Sequence, residues 1–184
     1  MTTAAAAKSK TYDMAYIAVF AVLMAICSWI SIPTAIPFTM QTFGLCLTGG
    51  VLGGKRGAVA ILVYILMGAV GVPVFAGFSG GAGVLFGTTG GYIIGYIFSM
   101  MVMWAMEKIP GKKVWVLAVS MVLALAVCYL FGTAWFMVVY ARKSGAIGLG
   151  AALGMCVIPY LIPDLLKIGL ALVVTKRLEK AIRL

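Results

Sequence analysis

The sequence contains no histidine and only four acidic residues among its 184 positions. Because histidine is the commonest metal ligand in proteins, we expect neither a metal site nor a bound cofactor. The four cysteines stand singly and form no CxxC motif, which is typical of small buried thiols. No stretch matches the phosphate-binding pattern GxxxxGK[ST], and the apolar segments lack the paired acid and base of a hydrolase. The composition therefore predicts that the chain is not an enzyme.

Charge is missing from long stretches of the chain as well. Only 10% of the residues are charged and 64% are hydrophobic, whereas a soluble domain carries roughly a quarter charged residues. No Asp, Glu, Lys or Arg occurs in 14–54, 57–106, 114–141 or 144–163. Since a membrane-spanning helix needs ~20 mostly apolar residues, each interval holds at least one span. We predict an all-α integral membrane protein, and we interpret the first apolar run as a span rather than a signal peptide.

Six spans account best for the apolar runs and for the residues that end them. Pro33 and Pro37 end the first run, and basic pairs such as Lys55-Arg56 close later ones. The predicted spans are 14–32, 38–54, 57–71, 90–106, 114–141 and 159–175. We therefore expect one six-helix transmembrane domain over residues 1–184, with 1–12 as a cytoplasmic tail.

The distribution of Lys and Arg predicts the orientation of these spans. With the N-terminus inside, eleven of the 14 basic residues fall on the inner side, Arg142 and Lys143 fall on the outer side, and Lys167 lies within a span. This asymmetry follows the positive-inside rule. An arrangement of five spans would place the two termini on opposite sides of the membrane and would remove the asymmetry. We expect a protein of the cell membrane with both termini in the cytoplasm. The net charge of +10 is then explained by contacts with anionic lipid headgroups and not with nucleic acid.

The stretch 71–91 holds eight glycines in 21 positions and no charge. Glycine at this density argues against a plain helix, although valines, a leucine and three phenylalanines are interspersed. Because irregular backbone exposed to lipid would leave polar groups unsatisfied, we expect a re-entrant or cavity-lining loop between the third and fourth helices. An ordinary flexible extracellular loop is the alternative. The segment "GTTGGY" shares residues with the filter of potassium channels, but its order differs and no pore helix precedes it.

The last predicted span admits two charges, in the segment "YLIPDLLKIGL". Asp164 and Lys167 stand three positions apart, which places them on one face of a helix. Counted from Lys176 at ~1.5 Å per residue, they lie ~18 and ~13 Å into the membrane, too deep to reach its inner surface. A charge at that depth costs ~2.5–3.5 kcal/mol or more, so it normally faces a cavity or a partner. Either the two charges only neutralise each other, or both recognise a polar solute that carries N–H donors and a carbonyl or carboxylate.

Three motifs give the chain a resemblance to a known family. They are "IPFTMQTFGLCLTGGVLGGKRGAVAILVYILMGAVGVPVFAGFSGGAG", "GTTGGYIIGY" and "IPDLLKIGLA", within 36–96 and 162–171. The sequence resembles the substrate-binding S components of energy-coupling factor (ECF) vitamin transporters, and specifically the biotin-specific ones. The resemblance implies a six-helix membrane protein that captures biotin with high affinity in an outward-facing cavity. It also implies partners, namely a transmembrane coupling subunit and two cytoplasmic ATPases.

The resemblance also implies a ligand site shared by the last span and the glycine-rich stretch. The segment "PDLLK" matches the family's polar ligand-contacting segment, and the glycine-rich stretch matches its loop over the ligand. Phe78-Ser79 stands where we expect Gly-Gly, and Thr88 where we expect Pro. We expect Asp164 to accept from a ureido N–H, and Lys167 to donate to the ureido carbonyl or to the carboxylate of biotin. The predicted ligand-binding residues, whose aromatic members would cover the apolar ring, are Asp164, Lys167, Ser79, Gly80, Phe78, Phe75, Tyr92 and Gln41.

Small residues in the first span suggest a docking surface. Members of the family use small residues four apart to dock to the coupling subunit, and such spacing lets helices approach closely in membranes. In this chain Ala18, Ala21 and Ala25 are the candidates. A self-sufficient secondary carrier, coupled to protons through Asp164, is the alternative function, as is an S component for another vitamin. Uptake that stops on ATP depletion but survives an uncoupler would favour the S component over the carrier.

Overall fold

The computed structural model of the protein describes residues 3–34, 36–109 and 114–181. Within these ranges the chain is helical apart from two short strands and the connecting segments. The helices are α1 Thr3–Trp29, α2 Gln41–Ala69, α3 Ala82–Leu85, α4 Gly90–Met106, α5 Val114–Ser144, α6 Leu149–Cys156 and α7 Ile158–Ala181, with a 3₁₀ turn at Ala76–Phe78. Strands β1 Ser31–Ile32 and β2 Phe38–Thr39 form an antiparallel hairpin between α1 and α2. The predicted all-helical class is confirmed for the described residues.

Several of these helices have the length and surface of membrane spans. In the part of the chain that the structure describes, four segments are long and apolar enough to cross a membrane: Lys10–Trp29, Gln41–Ala69, Val114–Ser144 and Ile158–Lys180. Helix α4 is also apolar but shorter, at 17 residues. Large apolar side chains such as Val19, Leu130 and Ile162 are exposed on these helices, which suits a lipid surround. The predicted membrane protein is confirmed, although α1 begins well before residue 14, where the first span was expected.

The long α2 is not one straight helix. Gly53 has φ 79° and ψ 164°, which lies outside the helical region and is readily adopted only by glycine. Gln41 Nε2 donates a hydrogen bond to Tyr64 Oη over 2.8 Å, although a continuous helix of that length would separate the two residues by ~34 Å. The chain therefore reverses at Gly53, and α2 consists of two antiparallel arms, 41–52 and 54–69. The reversal lies one residue before the end of the predicted span 38–54.

Charged side chains from two other helices hold this reversal. Glu107, directly after α4, accepts a hydrogen bond from the backbone N–H of Gly54, which begins the second arm. A carboxylate at a helix N-terminus is favoured by the helix dipole. Arg56 in the same arm pairs with Asp13 of α1 at 3.0 Å. These contacts tie α1, α2 and the end of α4 together at one end of the bundle.

Helices α4 and α5 pack closely and run in opposite directions. A Cβ at Gly91 would lie 2.2 Å from Cβ of Trp135, so only glycine permits this approach. Further along, Ser99 Oγ of α4 donates a hydrogen bond to the carbonyl oxygen of Ala124 in α5 over 2.8 Å. Since the partner number falls from 135 to 124 as the α4 number rises, the helices are antiparallel. Their contact provides one wall of the cavity described below.

The segment 70–89, which contains most of the glycine-rich stretch, is folded over the ends of the helices. The N–H of Phe75 donates to the carbonyl oxygen of Ser79 over 3.0 Å, and the N–H of Gly81 donates to that of Gly68 over 2.7 Å. Val74 and Phe75 are buried in the core. The backbone of this segment is thus hydrogen-bonded both to itself and to α2.

Candidate functional site

Asp164 and Lys167 lie one turn apart in α7, on the side that faces the bundle. Their side chains are only 6% and 8% exposed, and Lys167 Nζ lies 2.7 Å from Asp164 Oδ1. Pro163 directly precedes Asp164 inside the helix. Because proline has no N–H, the carbonyl of Pro159 one turn earlier lacks its usual helical donor. The structure therefore brings the two charges predicted from the sequence into a buried ion pair next to an interruption of the helical hydrogen bonds.

The Lys167 ammonium has three neighbours within the protein. It donates hydrogen bonds to Asp164 and, over 2.7 Å, to the backbone carbonyl oxygen of Thr39 in β2. Its Nζ also lies 3.8 Å from the centroid of the Phe38 ring, a position in which the face of the ring attracts a cation. An ammonium has three N–H donors. These three neighbours compensate for the burial of the Lys167 ammonium. Through the contact with Thr39, Lys167 also joins strand β2 to α7.

Asp164 has a second hydrogen-bond donor, on a different helix. Tyr129 of α5 donates its hydroxyl to Asp164 Oδ2 over 2.6 Å, within the normal range of an O–H···O hydrogen bond. Each carboxylate oxygen thus accepts from a different side chain, Lys167 at Oδ1 and Tyr129 at Oδ2. Because the two oxygens of a carboxyl group offer more acceptor positions than these two bonds use, a ligand N–H can still bind Asp164.

Asp164 and Tyr129 also line a cavity of about 60 Å³ among α2, α4, α5, α6 and α7. The cavity wall is mostly apolar and aromatic. Besides these two residues, the lining residues that carry a hydroxyl group are Thr42, Tyr92, Tyr96 and Tyr160. A mostly apolar cavity with a few convergent polar groups is typical of a small-molecule site, although such sites usually measure ~300–1,000 Å³. A ligand of vitamin size would therefore require the walls to move apart.

The hairpin between α1 and α2 forms one side of this cavity. Ile36, between the two strands, lines it, and its carbonyl oxygen accepts a hydrogen bond from the hydroxyl of Tyr160 in α7. The Tyr160 hydroxyl also lies 3.0 Å from Thr34 Oγ1, and its ring stacks on Phe38 with centroids 6.0 Å apart. Helix α7 therefore holds the hairpin at two points, through Tyr160 and through Lys167.

Three further predicted ligand-binding residues are buried in the bundle, and one of them lies in the cavity wall. Tyr92 lines the cavity, with its hydroxyl 3.1 Å from Thr133 Oγ1. Gln41 is buried, and its side chain binds both Tyr64 and the hydroxyl of Thr39. Phe75 is buried with its ring edge-on to Tyr64, at a centroid distance of 5.5 Å. Among the described residues, Tyr92 and Asp164 thus contact the cavity directly, whereas Gln41, Phe75 and Lys167 are not in its lining.

The structure does not bring Phe78, Ser79 or Gly80 to this cavity. Phe78 is largely exposed and stacks on Trp29 of α1, with centroids 5.1 Å apart. Its φ of 54° is uncommon for a residue other than glycine. Ser79 donates its hydroxyl to the carbonyl oxygen of Ala76 over 2.7 Å, and Gly80 is exposed. These three residues belong to the folded segment 70–89.

The three alanines suggested for partner docking lie on one face of α1 but differ in exposure. Ala18 is exposed on α1. Ala21 and Ala25 are buried in the core of the chain itself, so in this conformation they present no surface to another protein. Of the three, only Ala18 lies where a partner helix could approach.

Three of the four tyrosines in the cavity wall are candidate site residues that were not predicted from the sequence. Tyr129, Tyr96 and Tyr160 all line the cavity, and Tyr129 binds Asp164 directly. A tyrosine hydroxyl within an apolar span needs a hydrogen-bond partner, and this requirement was the available signal. Among the described residues, no group of three or more His, Cys, Asp or Glu side chains could hold a metal ion.

Comparisons with known proteins identify the family. The model of the BioY family matches residues 1–184. The chain is 38% identical to "Biotin transporter BioY" of Thermotoga maritima, over 88% of this chain and 92% of that protein. It is 35% identical to "Probable biotin transporter BioY" of Pyrococcus horikoshii, over 92% and 98% of the two chains.

A solved structure has the same fold. It is the crystal structure of the S-component for biotin from an ECF-type ABC transporter, which superimposes with a TM-score of 0.84 over 98% of this chain and 95% of that chain, at 24% identity. At this level of identity the likeness concerns the fold, and the family follows from the match to the whole sequence. The chain belongs to the BioY family.

Proposed function

We propose that the protein is the high-affinity biotin-binding S component of an ECF-type vitamin transporter. It captures biotin from outside and delivers it together with a transmembrane coupling subunit and two cytoplasmic ATPases. The observation that carries the proposal is the carboxylate of Asp164, buried in an apolar cavity and held by Lys167 and Tyr129. Membership of the BioY family supports the choice of biotin. In this role the chain is a transporter subunit and not an enzyme.

The chemistry of biotin matches the groups around the cavity. Biotin has a ureido ring with two N–H donors and a carbonyl, a largely apolar thioether ring, and a valerate carboxylate. Asp164 accepts from a ureido N–H, and the ring of Tyr92 covers the thioether ring. Lys167 donates to the ureido carbonyl or to the carboxylate by exchanging its bond to Thr39. Gln41 and Phe75 support this wall from behind.

Biotin binding requires the site to open, because the cavity of about 60 Å³ is smaller than a site for a molecule of this size. The hairpin is held by side-chain contacts from Tyr160 and Lys167, which can break without unfolding a helix. In the bound state Phe78, Ser79 and Gly80 of the glycine-rich stretch lie over the ligand, in a re-entrant or cavity-lining arrangement. The burial of Val74 and Phe75 in the core supports this arrangement.

The membrane arrangement consists of six spans: α1, the two arms of α2, α4, α5 and α7. The chain reversal at Gly53 supports the division of α2. The arm 41–52 is ~18 Å long at ~1.5 Å per residue, and the hairpin continues it towards the outer surface. The contacts of Arg56 with Asp13 and of Glu107 with Gly54 bring basic segments to one end, which is the cytoplasmic one. Tags at both termini should be accessible only from the cytoplasm, and an external C-terminus would overturn this arrangement.

Ligand binding by the purified full-length chain tests the proposed function. We expect saturable binding of biotin and no comparable binding of riboflavin or thiamine in the same titration. Absence of biotin binding by monodisperse protein would overturn the proposal, and tight binding of another vitamin would replace the ligand. For transport, uptake in cells that carry the coupling module should stop on ATP depletion and survive an uncoupler. The opposite pattern would favour a proton-coupled carrier.

A further inference from the structure

Tyr129 contacts Asp164 from across the bundle. It lies on α5, whereas Asp164 and Lys167 lie on α7, and its hydroxyl donates to Asp164 Oδ2 over 2.6 Å. Both Tyr129 and Asp164 line the cavity. The hydroxyl therefore binds the carboxylate at the surface where a ligand would reach it.

Asp164 accepts hydrogen bonds from two side-chain donors within the protein. A carboxylate whose oxygens accept from protein donors keeps further acceptor positions for the N–H groups of a ligand. Lys167 supplies one such donor at Oδ1 and Tyr129 supplies the other at Oδ2. Without the Tyr129 hydroxyl, Oδ2 would lose a donor inside an apolar wall.

The same hydroxyl also fixes the direction of the carboxylate. Lys167 holds only Oδ1, and one bond to one oxygen leaves the carboxylate plane free to rotate. The second bond, from Tyr129 to Oδ2, removes that freedom. The remaining acceptor positions of Asp164 are therefore set before a ligand arrives, which lowers the cost of binding.

We propose that Tyr129 is a positioning residue that keeps Asp164 an oriented hydrogen-bond acceptor and thereby sets the selectivity of the cavity for ligands with N–H donors. This inference rests on the proposed function, since biotin supplies the N–H donors. It assigns Tyr129 a role through Asp164 and not through packing alone. The consequence is that loss of the hydroxyl should reduce the preference for a free ureido N–H, beyond any general loss of affinity.

The test measures how well the site distinguishes two ligands. The full-length Tyr129→Phe protein is titrated with biotin and with biotin methylated on its ureido nitrogens, next to wild type and to Tyr140→Phe. Tyr140 lies on the same helix, where its ring packs on Phe136, so it controls for removing a tyrosine hydroxyl from α5. We expect biotin affinity to fall about tenfold in Tyr129→Phe, as for loss of a bond to a charged group. The preference for biotin over the methylated ligand should fall by a similar factor, and Tyr140→Phe should behave as wild type.

A double-mutant comparison separates a role through Asp164 from a structural one. In an Asp164→Ala background, Tyr129→Phe should change biotin affinity less than about twofold, because the acceptor on which it acts is gone. If Tyr129→Phe lowers biotin affinity equally in the presence and in the absence of Asp164, the inference is overturned. An unchanged preference for biotin over the methylated ligand would also overturn it. If Tyr129→Phe is not monodisperse, Tyr129→Met also lacks the hydroxyl and the same two measurements apply. Wild-type protein that fails to bind biotin overturns the proposed function itself, which is a distinct result.

Discussion

The protein contains two kinds of carboxylate–cation pair whose geometry is similar and whose surroundings differ. Lys167 and Asp164 lie 2.7 Å apart with side chains less than a tenth exposed. Arg56 and Asp13 lie 3.0 Å apart, but their side chains are 39% and 35% exposed. An exposed pair typically contributes ~0–1 kcal/mol, whereas removing one partner of a buried pair costs ~3–5 kcal/mol because it leaves an unpaired charge. Burial of the side chains, and not the distance between the charged atoms, therefore decides how much stability is lost when one partner of a pair is removed.

The two pairs also differ in the neighbouring groups that hold them in place. The exposed pair joins α1 to the second arm of α2, where solvent and lipid headgroups can replace either partner. The buried pair depends on Tyr129 at one carboxylate oxygen and on Thr39 at the ammonium. A buried pair gains little stability compared with apolar residues of the same volume. The position of Asp164 in the cavity wall therefore supports the proposed role of the pair in ligand recognition.

The largest effect should follow from breaking the buried pair. Asp164→Asn and Lys167→Met should each weaken biotin binding by ~30-fold or more, because one charge stays buried and a ligand group loses its partner, at ~2–5 kcal/mol with ~1.4 kcal/mol per tenfold. The measurement is a binding titration on monodisperse purified protein. Lys176→Met is the matched control, since Lys176 pairs with Glu179 on the same helix at the same spacing but with both side chains partly exposed. Its affinity should equal that of wild type.

These variants also distinguish recognition from mere charge neutralisation. If the pair only neutralises itself, the variants should lose expression or thermal stability while the surviving protein binds biotin normally. Wild-type affinity in both Asp164→Asn and Lys167→Met would remove these residues from the ligand site.

An intermediate effect is expected at a buried neutral hydrogen bond. Gln41→Leu removes the donor to the fully buried Tyr64 hydroxyl and the acceptor of Thr39. Leaving a buried polar group without its partner costs ~1–3 kcal/mol, so the midpoint of thermal unfolding in detergent should fall. Tyr64→Phe in the same background provides the control, because removing the orphaned hydroxyl should recover part of the loss. If Gln41→Leu and Tyr64→Phe lowered the midpoint of thermal unfolding additively, the result would contradict a hydrogen bond between Gln41 and Tyr64.

The smallest effect should come from the exposed pair. Asp13→Asn should lower the free energy of unfolding by less than ~1 kcal/mol, since solvent already screens the charges. The difference from wild type should shrink as salt is added. Thermal unfolding at low and high salt measures it, with biotin affinity as a second readout that should stay unchanged. A salt-independent loss of several kcal/mol would place this pair in the same class as Asp164 and Lys167.

The helices were largely predictable from the sequence. Apolar length and the charges that bound it predict α4 and α5 closely, since 90–106 agrees with Gly90–Met106 and 114–141 lies within Val114–Ser144. The boundary between the predicted spans 38–54 and 57–71 lies within two residues of the reversal at Gly53. The start of α1 at Thr3 was not predicted, because the first span was bounded by the apolar run that begins at Met14.

The candidate site was predictable only in part. Asp164 and Lys167 are conspicuous because charge is so rare in the apolar segments. Tyr129 carries no such signal, and it comes 35 residues before the carboxylate that it binds. Phe78 was expected near the ligand from the resemblance, whereas the structure stacks it on Trp29. A pairing of this kind depends on which helix faces turn towards each other, which local sequence does not express.

The sequence by itself determined that this chain consists of apolar helices and that Asp164 and Lys167 lie on one face of the last apolar segment. Hydropathy and charge spacing are local properties, and the cost of burying charge restricts where an ion pair can occur. Only the tertiary structure decided that Lys167 holds the hairpin through Thr39 and that Tyr129 completes the hydrogen bonding of Asp164. Those contacts join residues far apart in the chain. They depend on the packing of α5 against α7 and on the reversal of α2, which glycine permits but does not by itself require.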